Sequence, residues 1–295
     1  MLSKTCLYFL TYKTNDLCEY STLWEDAALQ KIEESPLDTH FENLKIARLN
    51  GGEILEVLGG EPFLYRELPQ FLKKAKSLGF KINLYTNGIL YAENAKKTSG
   101  LADNFFFFTD YPTPEEHNNS RGIECFNEVI DGIKYALQSN ENPAIYFNFT
   151  RDSVRFLPEM WELSQILNVR LHVHPVYDHR GLIGFEEETY QHVKYYFKKA
   201  NVFVNLAELE FSKRHGNNPS WPRCMAKEAT ITFLPDGEQA SPCFYNRKGR
   251  QGREVVCSGC TRAPYMLPSF ARGFDRYRLL DYYSKWFQNR KEKDL

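Results

Sequence analysis

The chain has 295 residues, 42% of them apolar, with 22 Phe, 18 Tyr and 4 Trp; this is enough to fill a sizeable core and excludes a disordered or low-complexity protein. Its 37 basic and 38 acidic side chains leave a net charge of −1, so no global field gathers nucleic acid or an anionic membrane. The longest apolar runs, such as Leu7 to Leu10 and Phe105 to Phe108, fall far short of the roughly 20 residues of a membrane span, and the short apolar stretch behind Lys4 does not make a secretory signal. A cytoplasmic protein without a membrane partner is expected.

Taken in chain order, residues 1–205 alternate β-rich runs with helical patterns, the rhythm of βα units around a parallel sheet. Strands are expected at Cys6 to Lys13, Ile54 to Leu58, Lys81 to Thr86, Phe105 to Thr109, Ala144 to Thr150 and Arg170 to Pro175. Between Leu64 and Gly79, residues Leu64, Leu68, Phe71, Leu72, Ala75 and Leu78 fall on one helical face, with Gly79 as the C-cap. Further helices are expected at Phe126 to Gln138 and Pro158 to Leu167. After Asn205 the pattern changes: Ala229 to Leu234 and Glu238 to Phe244 flank Pro235-Asp236-Gly237 as a hairpin, and a helix around Leu279, Leu280, Tyr283 and Trp286 is expected to pack back on the body. The fold class is α/β, a partial (β/α)6 TIM-like barrel over 1–205 followed by a small cysteine-rich α+β module over 206–295.

The sharpest local signal is Leu58-Gly59-Gly60-Glu61-Pro62 at the end of the second strand. In a barrel the C-terminal strand ends form the active face; paired glycines there let backbone groups approach a ligand while Glu61 fixes the turn. A plain βα turn is the structural alternative. Three more stretches stand at strand ends: Thr14 to Ser21 after the first strand, Tyr85-Thr86-Asn87-Gly88 after the third, and Asp110 to Phe126 after the fourth, with Asp110, His117, Arg121 and Gly122.

On these residues the chain resembles the radical S-adenosylmethionine (radical SAM) superfamily, over roughly Leu7 to Pro175. The resemblance implies the partial barrel, and it implies that Gly59, Gly60, Glu61 and Pro62 hold the amino group of S-adenosylmethionine. Thr86, Asn87 and Asp110 match further strand-end positions of the family; Asn148 and Arg151, and Tyr177 to Arg180, sit where substrate or cofactor contacts are expected. In the family the first loop carries Cys-x3-Cys-x2-Cys, ligating three irons of a [4Fe-4S] cluster. Here those positions read Thr14, Cys18 and Ser21, so Cys18 is the remnant of a degenerate site. Neither hydroxyl becomes an alkoxide readily at neutral pH. Cys6 lies at the far end of its strand and reads as a core thiol, and packing is the favoured role of Cys125.

Four of the seven cysteines, Cys224, Cys243, Cys257 and Cys260, fall near the C-terminus and end in a Cys-x2-Cys knuckle. Four thiolates satisfy one tetrahedral Zn2+ or one [4Fe-4S] cluster, and spacing alone does not choose. Cys224-x12-Gly237-x5-Cys243 is similar to the Twitch and SPASM extensions of the superfamily, which implies one auxiliary [4Fe-4S] cluster in preference to zinc. His172 and His174 share one face of the last predicted strand, where a substrate contact and a satisfied polar pair are both open. Arg247, Lys248, Arg250 and Arg253 read as a solvated loop, with contact to an acidic partner as the alternative.

The expectation is a radical-SAM-fold iron–sulfur protein that binds S-adenosylmethionine and has lost the radical-generating site, acting as an impaired member or as partner of an active enzyme; Thr at the first position favours natural degeneration over ligand substitution. An active radical SAM enzyme acting on a peptide or small metabolite and a zinc-stabilised binding module are the alternatives. With 13 residues before Thr14, no fused leader-peptide domain is expected.

Overall fold

The computed structural model describes residues 3–19, 21, 23–176, 186–246 and 257–291. In chain order the elements are β1 (Lys4–Phe9), α1 (Leu37–Leu49), β2 (Gly52–Leu58), α2 (Leu68–Ser77), β3 (Lys81–Thr86), α3 (Tyr91–Thr98), β4 (Asn104–Phe108), α4 (Pro114–Arg121) and α5 (Phe126–Gln138). They continue as β5 (Pro143–Phe149), α6 (Leu157–Ile166), β6 (Arg170–Pro175), α7 (Glu187–Tyr196), β7 (Val202–Val204), α8 (Leu206–Lys213), α9 (Ala226–Ala229), β8 (Thr230–Phe233), β9 (Gln239–Ala240), α10 (Ala263–Phe270) and α11 (Arg276–Lys291). The strands form one sheet in the order β7-β6-β5-β4-β3-β2-β1-β8-β9. All neighbours are parallel except β8 and β9.

Alternation along each strand gives the sheet two different faces. Cys6 and Tyr8, Leu55 and Val57, and Phe105 and Phe107 face the helices, and all are fully buried in the main core. The opposite face is polar and aromatic. Asn83 Nδ2 donates to Glu56 Oε1 at 3.0 Å, Asn104 Nδ2 to Asn83 Oδ1 at 2.7 Å, and Arg170 Nη2 to Asn104 Oδ1 at 2.9 Å. Above this row Phe106 and Phe203 flank the His172 ring, each at 4.8 Å. A barrel interior can hold the Glu56 Oε1, Asn83, Asn104 and Arg170 row because these groups hydrogen-bond to one another across strands.

All six expected strands are present, and the hairpin after Asn205 forms as the shorter pair β8 and β9. Several elements differ in their bounds, and the first strand, expected at Cys6 to Lys13, spans Lys4–Phe9. The strand β7 was not anticipated, since three residues are too few for a periodic signal. The helix expected from Leu64 starts at Leu68: the Glu61 carboxylate accepts the Phe63 N–H at 3.0 Å and holds a 3-10 turn at Pro62–Leu64, after which Pro69 enters the first turn of α2, where its missing N–H has no cost. Gly79 follows that helix at φ +77°, as a left-handed terminator.

The C-terminal helix is split into α10 and α11. It does pack on the body, but through Leu280 and Phe287, with Asn205 Nδ2 donating to Asp281 Oδ1 at 2.8 Å and the Leu206 N–H to Ser284 Oγ at 3.0 Å. Leu279 and Trp286, expected in that contact, are instead 72% and 46% exposed. Strand β8 lies against β1, pairing Thr5 to Tyr8 with Thr230 to Phe233, so the chain after residue 205 extends the barrel sheet. No helix among the described residues is long and apolar enough to cross a membrane.

Candidate functional site

The loop after β1 and the turn after β2 cross at backbone distance. Gly60 N–H donates to the Thr11 carbonyl and Glu61 N–H to the Lys13 carbonyl, both at 2.8 Å. A Cβ on Gly60 would stand 1.9 Å from the Lys13 oxygen and one on Gly59, at φ +141°, 2.3 Å from the Thr11 oxygen. The glycine pair is therefore required by the crossing of two chain segments, before any ligand is considered.

That crossing leaves Glu61 beneath the strand ends, 1% exposed. Oε1 accepts from the Phe63 N–H and from Thr86 Oγ1 at 2.9 Å, and Oε2 accepts from the Asn87 N–H at 2.7 Å. Burial pushes the carboxyl up to about 7; the three donors oppose the shift, and Asp16 adds to it. Asn87 then reaches the first loop, donating through Nδ2 to Asn15 Oδ1 at 2.8 Å. Pro62 is buried in the 3-10 turn.

Across the site, Arg121 at the end of α4 is held between two carboxylates. Nη2 donates to Asp110 Oδ1 at 2.8 Å, and Nη1 to Asp16 Oδ2 at 2.9 Å. Its Nε lies 2.7 Å from Asp110 Oδ2 without a hydrogen-bonding angle, so this contact is Coulombic. Burial opposes the guanidinium charge, but Asp110, Cys18 and Asp16 outweigh it and hold its pKa well above the ordinary value. Two carboxylates against one guanidinium leave one negative charge in excess. Asp110 is further fixed by Ser120 Oγ at 2.9 Å, and its N–H donates to His117 Nδ1 at 3.2 Å. That bond requires His117 to be the neutral Nε2–H tautomer, consistent with burial lowering its pKa to about 4.

These groups border a cavity of about 270 Å3, near the lower end for a small-molecule pocket. Thr14, Asp16, Cys18 and Ser21 line it from the first loop, Gly59, Gly60 and Asn87 from the next two strand ends, and Asp110, Arg121 and Asn148 from beyond. Phe9, Phe244 and Tyr245 supply an aromatic wall, with Phe9 and Phe244 stacked at 4.8 Å. A larger hollow of about 700 Å3 opens at the opposite, N-terminal strand ends, between Lys81, Asp103, Asn142 and Arg170; none of the motif residues borders it.

The first loop does not fit a three-thiolate cluster. Thr14 Oγ1 donates to Asp16 Oδ1 at 2.5 Å, Ser21 Oγ accepts from the Leu23 N–H at 3.3 Å, and only Cys18 offers sulfur. Cys6 is fully buried in the main core and Cys125 is buried at the start of α5. Burial drives the Cys6 thiol pKa far upward and that of Cys125 up to about 11. Near the C-terminus, burial raises the Cys224 thiol to about 11, with Cys260, Cys243 and Cys257 adding to the shift. The four thiols thus share one neighbourhood, although among the described residues no three His, Cys, Asp or Glu side chains stand in a metal-holding arrangement. Four thiols are a donor set that fits a metal by its chemistry.

The structure thus gathers Gly59, Gly60, Asn87, Asp110, Asn148 and Cys18 around one cavity, with Glu61, Pro62 and Thr86 bracing it from below. Arg151 is not brought in: its side chain is 72% exposed and pairs with Glu186 at 3.2 Å. Tyr177 to Arg180 and the basic run Arg247 to Arg253 lie outside the described residues. His172 and His174 do face the barrel interior. His174 Nδ1 lies 2.7 Å from Glu208 Oε2, and its ring stacks on Tyr146 at 4.5 Å. Sequence reasoning missed Glu208, Phe244 and Tyr245, which come from distant segments. It also passed over Asp16, whose partner Arg121 lies 105 positions away.

No protein-family model matches the chain. A probable GTP 3',8-cyclase of Saccharolobus islandicus (strain M.14.25 / Kamchatka #1) is 28% identical over 180 residues, 58% of each chain. One from Sulfolobus acidocaldarius is 24% identical over 216 residues, 72% of this chain and 62% of that one. The matched region thus spans about three-fifths of the curated relatives. Among solved structures, Streptococcus suis SuiB bound to S-adenosylmethionine superposes with TM-score 0.69 at 15% identity, over 86% of this chain and 63% of that one. The structure of anSMEcpe with bound AdoMet gives TM-score 0.62 at 16% identity, over 82% and 74%. The chain thus has the fold of these S-adenosylmethionine-bound structures and is similar in sequence to the GTP 3',8-cyclases, and its strand-end motifs stand where the resemblance to the radical S-adenosylmethionine superfamily puts them.

Proposed function

We propose that the chain binds S-adenosylmethionine in the strand-end cavity and does so without a three-thiolate cluster in the first loop. The observation that carries this reading is the excess negative charge of the Asp16–Arg121–Asp110 group beside aromatic faces, a pairing that suits a ligand with a cationic sulfonium and ammonium and a planar base. Asp110, Asn87, Asn148 and the Gly59-Gly60 turn would contact it, with Phe9, Phe244 and Tyr245 against its flat part. Bound there, S-adenosylmethionine supplies an activated sulfonium. The protein's own contribution is to orient it and to hold Glu61 and Asp110 fixed by buried hydrogen bonds.

In this reading the barrel serves as an impaired member of the superfamily or as a binding partner of an active enzyme, and its substrate is a peptide or small molecule; the related fold of SuiB has been seen bound to its precursor peptide SuiA. The C-terminal module holds one centre on Cys224, Cys243, Cys257 and Cys260, an auxiliary [4Fe-4S] cluster in preference to zinc. Calorimetric titration of the anaerobically purified chain with S-adenosylmethionine tests the first point: saturable one-site binding is expected, weakened by Asp110→Asn, and the absence of heat in the wild type overturns it. Iron and sulfide analysis of the same sample is expected to give about four of each per chain. About eight irons would show a second cluster and overturn this reading of the first loop, and one zinc without iron would replace the auxiliary cluster.

A further inference from the structure

We infer that Asn217 is the positioning residue that brings three of the four C-terminal cysteine segments into one site; the inference rests on the metal-centre reading above. Asn217 follows α8 through His215 and Gly216, at φ +64° and +72°. A Cβ on Gly216 would stand 2.5 Å from the Gly259 carbonyl oxygen, so this turn lies directly against the Cys257-to-Cys260 knuckle. There the backbones pair: Asn217 N–H donates to the Cys260 carbonyl at 3.1 Å, and Gly259 N–H donates to the Asn217 carbonyl at 2.8 Å.

The side chain extends the same grip in the other direction. Oδ1 accepts the N–H groups of Arg223 at 2.8 Å and Cys224 at 3.1 Å, and Nδ2 donates to the Cys257 carbonyl at 3.1 Å. Asn217 is 4% exposed, so water does not replace these bonds at low cost. All five bonds reach backbone groups in or beside Cys224, Cys257 and Cys260, and none of them uses a thiol. The residue fixes where the cysteines stand while leaving sulfur for a metal, which is the work of a group behind the ligands. Arg262, 7% exposed with Nη1 3.4 Å from Cys260 Sγ, adds a cation beside a donor set that turns anionic when thiolates bind metal.

The metal-depleted full chain is titrated with Co2+, whose thiolate charge-transfer absorption reports tetrahedral sulfur ligation, and affinity is read by competition with a chelator. Wild type is expected to bind one Co2+ and Cys224→Ser to lose the signal. Asn217→Ala is expected to bind about 10- to 100-fold more weakly, and Asn217→Asp, which keeps the acceptor for Arg223 and Cys224 but loses the donor to Cys257, to fall between. Wild-type affinity in both Asn217 variants overturns the positioning role and leaves the metal centre standing. No cobalt–thiolate signal in wild type, together with no iron or sulfide in the anaerobically purified chain, removes the metal centre and the role together. Circular dichroism accompanies each titration, and if Asn217→Ala does not fold, Asn217→Asp decides.

Discussion

Glu61 illustrates how one buried carboxylate ties the ends of β2 and β3 together at a measurable cost. It receives the Phe63 and Asn87 N–H groups and the Thr86 hydroxyl, yet burial raises its pKa from 4.5 to about 7. Between these values the folded protein binds more protons than the unfolded chain, so stability falls as pH rises from 4.5 towards 7. The shift corresponds to an effect on the order of 3 kcal/mol. Glu61→Gln, which cannot ionise, is expected to flatten this part of the profile whatever its absolute stability. Urea midpoints from pH 4.5 to 8 test this, and wild-type and Glu61→Gln curves that run parallel would sink it. Glu61 was legible as a turn-fixing residue from its place after two glycines. Asp16 was not, because its importance comes from Arg121, 105 positions away, and a local pattern carries no sign of that pairing.

At the level of elements, the decisive feature is the crossing of the β1 loop over the turn after β2. Hydrogen bonding between the two segments continues beyond both strands, from Leu10 N–H to Leu58 and then through Gly60 and Glu61 to Thr11 and Lys13. A methyl group at Gly60 has no room, with the Lys13 carbonyl oxygen 1.9 Å away, and backbone atoms cannot rotate aside as a side chain could. Gly60→Ala is expected to cost at least about 2 kcal/mol and to open the chain at Lys13 to trypsin. Gly100→Ala, also at positive φ but with nothing within 4 Å of its added methyl, is expected to cost about 1 kcal/mol and to leave Lys13 protected. Equal protection at Lys13 in the Gly60 variant would show that the loop is not held by this crossing. Most strands and three of the outer helices were legible because their apolar periodicity coincides with burial: Phe126 to Gln138 appears as α5 without adjustment. The shifts occurred where a side chain outbid the pattern, as Glu61 does at Phe63, or where the outer face of a helix carries as many large rings as its inner face, as on α11.

For the molecule as a whole, the sheet order makes the region after residue 205 structurally continuous with the barrel. The cysteine-rich composition and the change of rhythm mark 206–295 as a separate module in the sequence, but β8 lies beside β1, and Leu7, Phe9 and Tyr12 share a second core with Ala226, Leu234, Phe244 and Tyr265. Phe244 and Tyr245 also close one wall of the cavity. Strand pairing over such sequence separation leaves no local signal, so the composition was readable and the continuity was not. Removing residues 206–295 would bare the paired edge of β1 and the apolar face of Leu7 and Phe9, and an exposed edge beside apolar surface promotes association between chains. The full chain is therefore expected to unfold in a single calorimetric transition. The 1–205 fragment is expected to elute as aggregate in size-exclusion chromatography and to show no cooperative melting. A monomeric fragment that melts cooperatively, together with two transitions in the full chain, would mean that the barrel folds as its own unit and that β8 is an addition to a finished sheet.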